Sequence, residues 1–275
     1  MKMDLKELLK NKLSRKELEI FQKSFDVIGS IAVIEIPSQL KKKEKLIAQT
    51  LMASHSNIKT VLKKEGKIKG RLRTRKLEFI AGEKTKETVC KENGCIFKLD
   101  VEKCYFSPRM ANDRLEIAKQ IRPGEKVLVM FGGIAPYAIV IAKNSRAKKV
   151  YSVEINKTAS RYALENVGLN KMDNVEIIQG DVKKIIPKLR KKGLRFDRIV
   201  MARAQLNDYF LEDAMKVAKK GCIINLHDFL FEEDIPGKAL DNIGKYVKKF
   251  RLIRWKMAGD IGPRKYRIRV DFVVL

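Results

Sequence analysis

From about residue 100, apolar strand-like segments alternate with helical ones, and this alternation limits the possible folds more than any other feature of the chain. The helical segments are 114–122, 136–143, 158–169, 182–189, 210–219 and 237–250, and the strands are 126–131, 149–154, 175–179, 196–201 and 222–226. Two further strands, 251–257 and 266–275, flank the turn segment 259–263. Alternating strands and helices form a mostly parallel sheet with helices on both faces. We therefore predict an α/β, Rossmann-like domain over residues 100–275, with an antiparallel closing strand.

The preceding residues have a different pattern. Residues 1–25 read as short amphipathic helices, and 26–99 read as a strand (26–37), a helix (38–54) and short strands (60–62, 71–80, 88–99) with turns at the glycines between them. We predict a smaller α+β domain over 26–99. Within it, the segment 58–76 carries Lys59, Lys63, Lys64, Lys67, Lys69, Arg71, Arg73, Arg75 and Lys76. Such a module is typical of an RNA-binding appendage, although a solvated lysine face has the same appearance in sequence.

The charge balance points to a polyanionic partner. The chain has 60 Lys and Arg against 33 Asp and Glu, a net charge of +27. In lysine-rich proteomes the content of Glu usually rises together with that of Lys. In this chain the content of Glu is not correspondingly high, so we favour a nucleic-acid partner over a merely lysine-rich composition. There is no apolar run of about 18 residues and no signal peptide, so we expect a cytoplasmic protein without a membrane segment. The four cysteines and two histidines fit no common metal pattern, and we expect no metal.

The sharpest local signal is a strand, a glycine loop and a helix over residues 127–137. Glycines at such a turn let a ligand approach the backbone at the end of the strand. The next strand ends at Glu154, 22 residues after Gly132, where a carboxylate can accept the ribose hydroxyls of an adenosine cofactor. A third strand ends at Asp181, which can accept from an adenine amino group. The alternatives are a surface carboxylate beside Lys157 for Glu154 and a helix N-cap for Asp181.

The loop selects among cofactors. A dinucleotide needs G-x-G-x-x-G around its pyrophosphate, and Ala135 and Pro136 break that pattern, which disfavours a nicotinamide oxidoreductase. S-adenosylmethionine has no phosphate and tolerates a bulkier loop, so it is the predicted cofactor. The predicted cofactor-binding residues are Phe131, Gly132, Gly133, Pro136, Glu154, Ile155, Asp181 and Val182.

Several segments, in order, resemble the archaeal and eukaryotic tRNA (guanine-37, N1) methyltransferases. They are the stretch 91–109 ending in Ser-Pro-Arg, the loop 130–139, 154–156, 165–170, and upstream 28–37 and 70–83, with 262–266 near the end. The resemblance covers residues 27 to the end and implies a class I methyltransferase sheet with an N-terminal RNA-binding domain, tRNA as partner, and a monomer. It is shared with the wybutosine-pathway aminocarboxypropyl transferase, which uses the same cofactor on a modified guanine.

Residue roles follow from the resemblance. Arg73 corresponds to the arginine that stabilises charge on guanine O6. Asp113 stands where the family has its general base, a glutamate four residues after the Ser-Pro-Arg arginine, and is one methylene shorter. Proton removal from N1 and a cation at O6 are what the chemistry requires. A surface acid paired with Arg114 or Lys119 is the alternative for Asp113. The substrate-binding residues implied are Arg75, Tyr105, Arg109, Arg114 and Arg203.

The chain departs from the family pattern after its fourth parallel strand. Ala202-Arg203-Ala204 stands where the methyltransferases have Asn-Leu-Pro, and Arg203 and Gln205 are the polar candidates to replace the missing Asn. The aminocarboxypropyl transferase also lacks that element, but Arg109 and Pro136 agree with the methyltransferases. Methyl transfer is therefore the leading hypothesis. Aminocarboxypropyl transfer and a non-catalytic tRNA-binding relic are the alternatives.

Overall fold

The computed structural model describes residues 4–22, 24–203 and 210–275, except for the side chains of 67–69. The chain divides into two compact units. The first comprises Met1–Lys91 and Ile96–Pro108, and the second Glu92–Cys95 and Arg109–Leu275. The main division thus falls at residue 108, whereas the sequence placed it at 99. Residues 92–95 belong to the second unit although the chain returns to the first after them.

The first unit is built on a four-stranded sheet. Its order is β1-β2-β3-β4, in which only β2 and β3 are parallel. The elements are α1 (Leu5–Leu8), α2 (Arg15–Ile20), β1 (Phe25–Ile28), β2 (Ile31–Ile34), α3 (Glu44–Ser54), β3 (Thr60–Lys69) and β4 (Thr74–Gly82). Leu5 and Leu9 are buried in one core with Ile47 and Leu51 of α3. The segment 1–25, predicted as a separate piece, is therefore part of this unit.

Gly66 does not form the turn that the sequence predicted. Strand β3 continues through it, and the register with β4 shifts between Glu65 and Lys69. Gly66 has a φ of +67° and lies at this irregularity within the strand, where a residue without Cβ is favoured. The predicted turn at Gly94 does occur. It joins β5 (Glu87–Glu92) to β6 (Cys95–Asp100) as an Asn93-Gly94 hairpin with both φ angles positive, at 50° and 75°.

The second unit contains a seven-stranded sheet of order β12-β13-β11-β10-β7-β8-β9. Strands β7 to β11 are parallel to their neighbours in that set, and β13 pairs antiparallel with β11 and β12. The elements are α4 (Ala111–Gln120), β7 (Lys126–Met130), α5 (Pro136–Asn144), β8 (Lys149–Glu154), α6 (Lys157–Leu169), β9 (Val175–Gln179), α7 (Val182–Lys191), β10 (Phe196–Met201), α8 (Leu211–Met215), β11 (Ala218–Phe231), α9 (Gly237–Gly244), β12 (Phe250–Gly262) and β13 (Lys265–Val274). The predicted mostly parallel sheet with an antiparallel closing strand is confirmed.

Two helices were predicted too long. The segment 210–219 is helical only in α8, and β11 already begins at Ala218. Strand β11 runs for 14 residues because β13 pairs with it in register from Ile223 to Phe231, and such long-range pairing overrides local helix preference. Helix α9 ends at Gly244 rather than at 250. None of the helices in the described ranges is both long and apolar enough to cross a bilayer.

Candidate active site

The loop between β7 and α5 has an unusual backbone. Phe131, Gly133 and Ala135 have φ angles of 63°, 57° and 65°, in the left-handed region. For a residue with a side chain this conformation costs about 1–2 kcal/mol. Such strained residues persist where the surroundings fix them, and they concentrate at ligand sites. The loop lies where β7, β8 and β9 end, the edge at which open α/β sheets bind ligands.

Neighbouring strands hold this loop in place. Gly132 donates its N–H to the Val153 carbonyl at 2.9 Å. A Cβ on Gly132 would lie 2.0 Å from the Ser152 Oγ, so a side chain there would force the Ser152 hydroxyl to move. On the other side, the Asn166 Nδ2 donates to the Ile134 carbonyl at 3.2 Å. Gly132 is thus required by packing of the loop on β8, and not only by ligand approach.

Glu154 is clamped at the mouth of the loop. One carboxylate oxygen accepts the Gly133 N–H at 2.8 Å, and the other accepts the Asn156 N–H at 2.7 Å. A carboxylate has about four lone-pair positions, so each oxygen retains acceptor capacity. Among the described residues, its hydrogen-bond partners are these backbone N–H groups, and not Lys157. Glu154 is partly exposed, and this arrangement presents an oriented, partly hydrated acceptor beside the glycine loop.

The other predicted cofactor residues differ in placement. Asp181 accepts the Lys183 N–H at 3.0 Å and caps α7; the helix-cap interpretation is therefore confirmed, and its adenine contact stays a prediction. Pro136 and Val182 are buried, whereas Phe131 and Ile155 are partly exposed. Phe131 meets Phe210 edge-on at 5.1 Å between ring centroids, and the Arg203 guanidinium lies 5.6 Å from the Phe131 ring.

Asp113, the predicted general base, is buried in the first turn of α4. Its Oδ2 accepts from the Tyr137 hydroxyl at 2.7 Å and lies 2.8 Å from His227 Nε2. Its Oδ1 contacts the Arg269 guanidinium. Burial alone would raise the pKa of Asp113, but His227, Arg269 and Tyr137 outweigh it and hold that pKa well below its usual range. The general-base role predicted for Asp113 stays a prediction.

Arg114 is also held by an ion pair within the second unit. It is buried and forms a double ion pair with Glu92, with Nε and Nη2 each 2.5 Å from a carboxylate oxygen. Its guanidinium lies 5.6 Å from the Tyr137 ring. Asp113 and Lys119 take no part in this ion pair. Arg114 is thus buried and paired with Glu92 through two nitrogens, and its predicted substrate contact stays a prediction.

In the first unit, Arg73 is fixed at the turn before β4. Its backbone is left-handed, with a φ of 53°, and its guanidinium lies 4.8 Å from the Tyr105 ring centroid. Arg75 is half-buried, and its Nε makes no hydrogen bond within the described residues. Arg109, in a short 3-10 helix, is exposed. Arg73 and Asp113 belong to different units, so their predicted pairing stays a prediction. Ala204 and Gln205 lie outside the described residues.

The basic residues fall into two groups. In the first unit, Lys63 lies 2.8 Å from Glu44 and 2.7 Å from Glu78, contacts that raise the pKa of Lys63, and Lys64 lies 3.4 Å from Asp26. These lysines are neutralised internally. In the second unit, α7 and its C-cap have no acid between Asp181 and Asp197. Exposed cations there without an ion pair among the described residues are Lys184, Lys188, Arg190, Lys191 and Lys192.

Sequence reasoning missed the partners of Asp113. Tyr137, His227 and Arg269 converge on it from α5, β11 and β13. The available signal was a histidine in the mostly apolar run 223–230, which also contains Asn225 and Asp228. The four cysteines are free, and burial raises the pKa of Cys95 to about 11. Among the described residues there is no cluster of His, Cys, Asp and Glu suited to a metal ion.

Two family matches cover most of the chain. Residues 88–253 match the TRM5/TYW2 methyltransferase domain, and residues 5–85 match the TYW2 N-terminal domain. The tRNA (guanine(37)-N(1))-methyltransferase Trm5b of Pyrococcus abyssi is 40% identical over 91% of this chain and 74% of its own length. The tRNA 4-demethylwyosine(37)-methyltransferase Taw21 of Saccharolobus solfataricus is 32% identical over 90% of this chain and 93% of its own.

The aminocarboxypropyl transferases are also similar. The tRNA(Phe) (4-demethylwyosine(37)-C(7)) aminocarboxypropyltransferase of Pyrococcus horikoshii is 29% identical over 98% of this chain and 94% of its own. Among solved structures, the complex of aTrm5 with tRNALeu superimposes with a TM-score of 0.88 at 26% identity, over 100% of this chain and 79% of that one. The resemblance noted from the motifs therefore extends over the whole chain.

Proposed function

Because the chain belongs to the TRM5/TYW2 methyltransferase family, we propose that it transfers a methyl group from S-adenosylmethionine to N1 of guanine 37 in tRNA. The observation that carries this proposal is the clamp of the Glu154 carboxylate between the glycine loop and the end of β8, in a chain 40% identical to Trm5b. Arg109 and Pro136, the residues that agree with the methyltransferases, support methyl transfer over its alternative.

The residues at the loop fit S-adenosylmethionine. Glu154 offers two oriented oxygens for the ribose hydroxyls, and Ile155 and Phe131 offer partly exposed apolar surface beside it for the adenine. A pyrophosphate needs a run of residues without side chains, and this loop does not provide one. Ala135 stands at the N-cap of α5 without a side-chain hydrogen bond, and Pro136 follows it. When bound, the cofactor supplies an electrophilic methyl group on a sulfonium.

For the target base, the first unit supplies Arg73. A guanidinium near O6 stabilises the charge that guanine acquires as its N1 proton leaves. Stacking on Tyr105 and a left-handed backbone restrict the Arg73 side chain before substrate arrives. A cation that is already oriented costs little reorganisation when the reaction occurs. This is why we retain Arg73, with Tyr105, Arg75, Arg109 and Arg203 as further substrate contacts.

The net charge of +27 supports tRNA as the partner. Lys184, Lys188, Arg190 and Lys191 of α7, which have no ion pair within the described ranges, contribute to that excess, whereas Lys63 and Lys64 are paired with acids. A tRNA substrate is consistent with a cytoplasmic enzyme, and the monomeric state stays a prediction.

Aminocarboxypropyl transfer is the second candidate. It is favoured by the match of residues 5–85 to the TYW2 N-terminal domain and by Ala202-Arg203 at the end of β10 in place of Asn-Leu. Both candidates use the same cofactor, and they differ in which carbon–sulfur bond of the sulfonium is broken. The mass added to the nucleoside therefore separates them.

The test is mass spectrometry of nucleosides from tRNA incubated with enzyme and S-adenosylmethionine. Two substrates are compared, one with unmodified guanine 37 and one carrying 4-demethylwyosine there. We expect a methyl gain on the guanine substrate. A methyl gain only on 4-demethylwyosine would indicate a Taw21-like specificity, an aminocarboxypropyl gain would support the second candidate, and cofactor binding without any gain would indicate a relic.

A further inference from the structure

The hairpin of β3 and β4 continues past β2 as a two-stranded ribbon. Strand β2 pairs with β3 only as far as Lys63, and from Lys64 onwards β4 is the one partner of β3 among the described strands. Residues 64–76, which form the arm, contain seven Lys and Arg against one Glu. Positive charge at this density is complementary to a phosphate backbone. The arm thus has the charge expected of a contact to RNA.

The tip of the arm is a tight turn that presents Leu72. The Arg73 N–H donates to the Gly70 carbonyl at 3.2 Å, which closes a turn over residues 70–73, and these two residues have φ angles of 53° and 66°. Leu72, the third residue of the turn, is 45% exposed. Turns favour Gly, Asn, Asp, Ser and Pro, so neither turn formation nor burial accounts for a leucine here. A single exposed leucine is ordinary on a protein surface, but this one lies between Arg71 and Arg73.

Methyl transfer to N1 gives such a leucine a task. Enzymes that act on a base turn it out of its stack into a pocket, at a cost in lost stacking. When guanine 37 leaves the anticodon loop, a gap one base thick opens between nucleotides 36 and 38. Both walls of this gap are faces of bases. Leu, Ile and Met side chains are among those that insert between bases where proteins open a stack.

We propose that Leu72 enters this gap and takes the place of guanine 37 between nucleotides 36 and 38. The inference rests on the proposed function, in which Arg73 meets O6 of the same guanine. Adjacent residues have Cα atoms about 3.8 Å apart, close to the spacing of about 3.4 Å between stacked bases. Leu72 therefore reaches the vacated position while the longer Arg73 side chain follows the base outwards. Leu72 takes no part in methyl or proton transfer and acts by holding the loop open.

The first measurement is the fluorescence of 2-aminopurine at position 38 of a full-length tRNA transcript. Stacking quenches this base analogue, so its emission rises when guanine 37 leaves it. The full chain is added to saturation together with S-adenosylhomocysteine, which has no methyl group to transfer. We expect a rise with the parent and with Leu72→Met, a swap that keeps the apolar volume, and a clearly smaller rise with Leu72→Ala.

The matched control for this measurement is Leu169→Ala. Leu169 is also 45% exposed and is the last residue of α6, in the second unit, and this variant should behave like the parent. An equal rise with Leu72→Ala and the parent would overturn the proposal, and so would the absence of a rise when the parent has bound the tRNA. The first of these results is also the one expected if Leu72 were an anchor for another protein.

The second measurement is the single-turnover rate of methyl transfer at saturating tRNA. We expect Leu72→Ala to be slower by about 10-fold, the loss that follows when the methyl groups of a leucine are no longer buried. The affinity for tRNA should stay close to that of the parent, because the cations of the arm remain. A rate equal to that of the parent would overturn the proposal.

A transcript with an abasic nucleotide at position 38 separates the opening of the stack from a folding defect of the arm. Guanine 37 then lacks one stacking partner, so the difference in rate between Leu72→Ala and the parent should shrink. An undiminished difference would mean that Leu72 serves only the structure of the arm, and would overturn the proposal. Absence of methyl transfer in the parent would count against the proposed function alone, because the fluorescence measurement requires no transfer.

Discussion

Glu154 is the residue on which we expect cofactor binding to depend most. Its two oxygens are oriented by the Gly133 and Asn156 N–H groups, so Glu154→Ala removes a charged acceptor and leaves two backbone donors without it. We expect S-adenosylmethionine binding to weaken by about 1.5–3 kcal/mol, the range for hydrogen bonds to charged groups, as measured by calorimetry. Glu176→Ala, at an exposed glutamate on β9, is the control. Equal affinity in the two variants would contradict the assignment.

Asp113 should also affect stability, with a defined pH dependence. Its folded pKa lies below the value of about 3.9 expected in the unfolded chain, so its stabilisation is present above about pH 4 and is lost as the pH falls through the folded pKa. We expect Asp113→Asn to lower the free energy of unfolding by about 3–5 kcal/mol at pH 7, the cost of breaking a buried pair. Urea denaturation at pH 7 and pH 3 checks this. A difference that does not shrink at pH 3 would contradict it.

The sequence located Asp113 but not its buried partners. The motif after Ser-Pro-Arg identified the position, whereas His227 and Arg269 lie 114 and 156 residues further along the chain. No local pattern reports such contacts. Glu154 was predictable because its acceptor role depends on a strand end and a loop 22 residues apart, within one βαβ unit.

At the scale of elements, the packing of the glycine loop on β8 gives a sharp prediction. Gly132→Ala would place a Cβ 2.0 Å from the Ser152 Oγ, and we expect it to destabilise the protein by about 1–3 kcal/mol, as overpacking does. Ser152→Gly in the same chain should restore part of the loss. Gly168→Ala, in an open position on α6, should stabilise by about 0.4–1 kcal/mol. Thermal or urea unfolding compares them, and an equal effect at both glycines would disprove the packing argument.

The parallel core of the second unit was predictable element by element, and its antiparallel end was not. Strands β7 to β10 are short apolar runs between helices, which is a strong pattern. Residues 218 and 219 were predicted as the end of a helix, but β11 is extended there and continues to Phe231, where it still pairs with β13. The length of β11 is set by a partner strand that follows it by more than 30 residues, as the pairing of Phe231 with Lys265 shows.

At the scale of the whole molecule, the basic residues differ in how available their positive charge is to an RNA ligand. Lys184, Lys188 and Lys192 follow each other at intervals of four residues, about 6 Å per step along a helix, and none has an ion pair among the described residues. If they contact phosphates, replacing all three by Gln should flatten the slope of log affinity for tRNA against log salt by about 0.9 per lysine. Filter binding or fluorescence anisotropy at several salt concentrations measures this slope.

The matched control replaces Lys245, Lys248 and Lys249 by Gln. These residues are also exposed, and the change in net charge is the same. We expect the control to keep the slope of the parent. Equal slopes in both triple variants would mean that α7 is a solvated face and that tRNA binds elsewhere.

The central claim is methyl transfer to N1 of guanine 37, and one measurement addresses it directly. Two unmodified tRNA transcripts, identical except for guanosine or adenosine at position 37, are incubated with the full chain and S-adenosylmethionine labelled in its methyl group. Label incorporation is counted, and the product nucleoside is identified by mass spectrometry. We predict one methyl group per guanosine-37 transcript, recovered as 1-methylguanosine, and none in the adenosine-37 transcript. Equal incorporation in both transcripts, or none in either despite bound cofactor, would contradict the account.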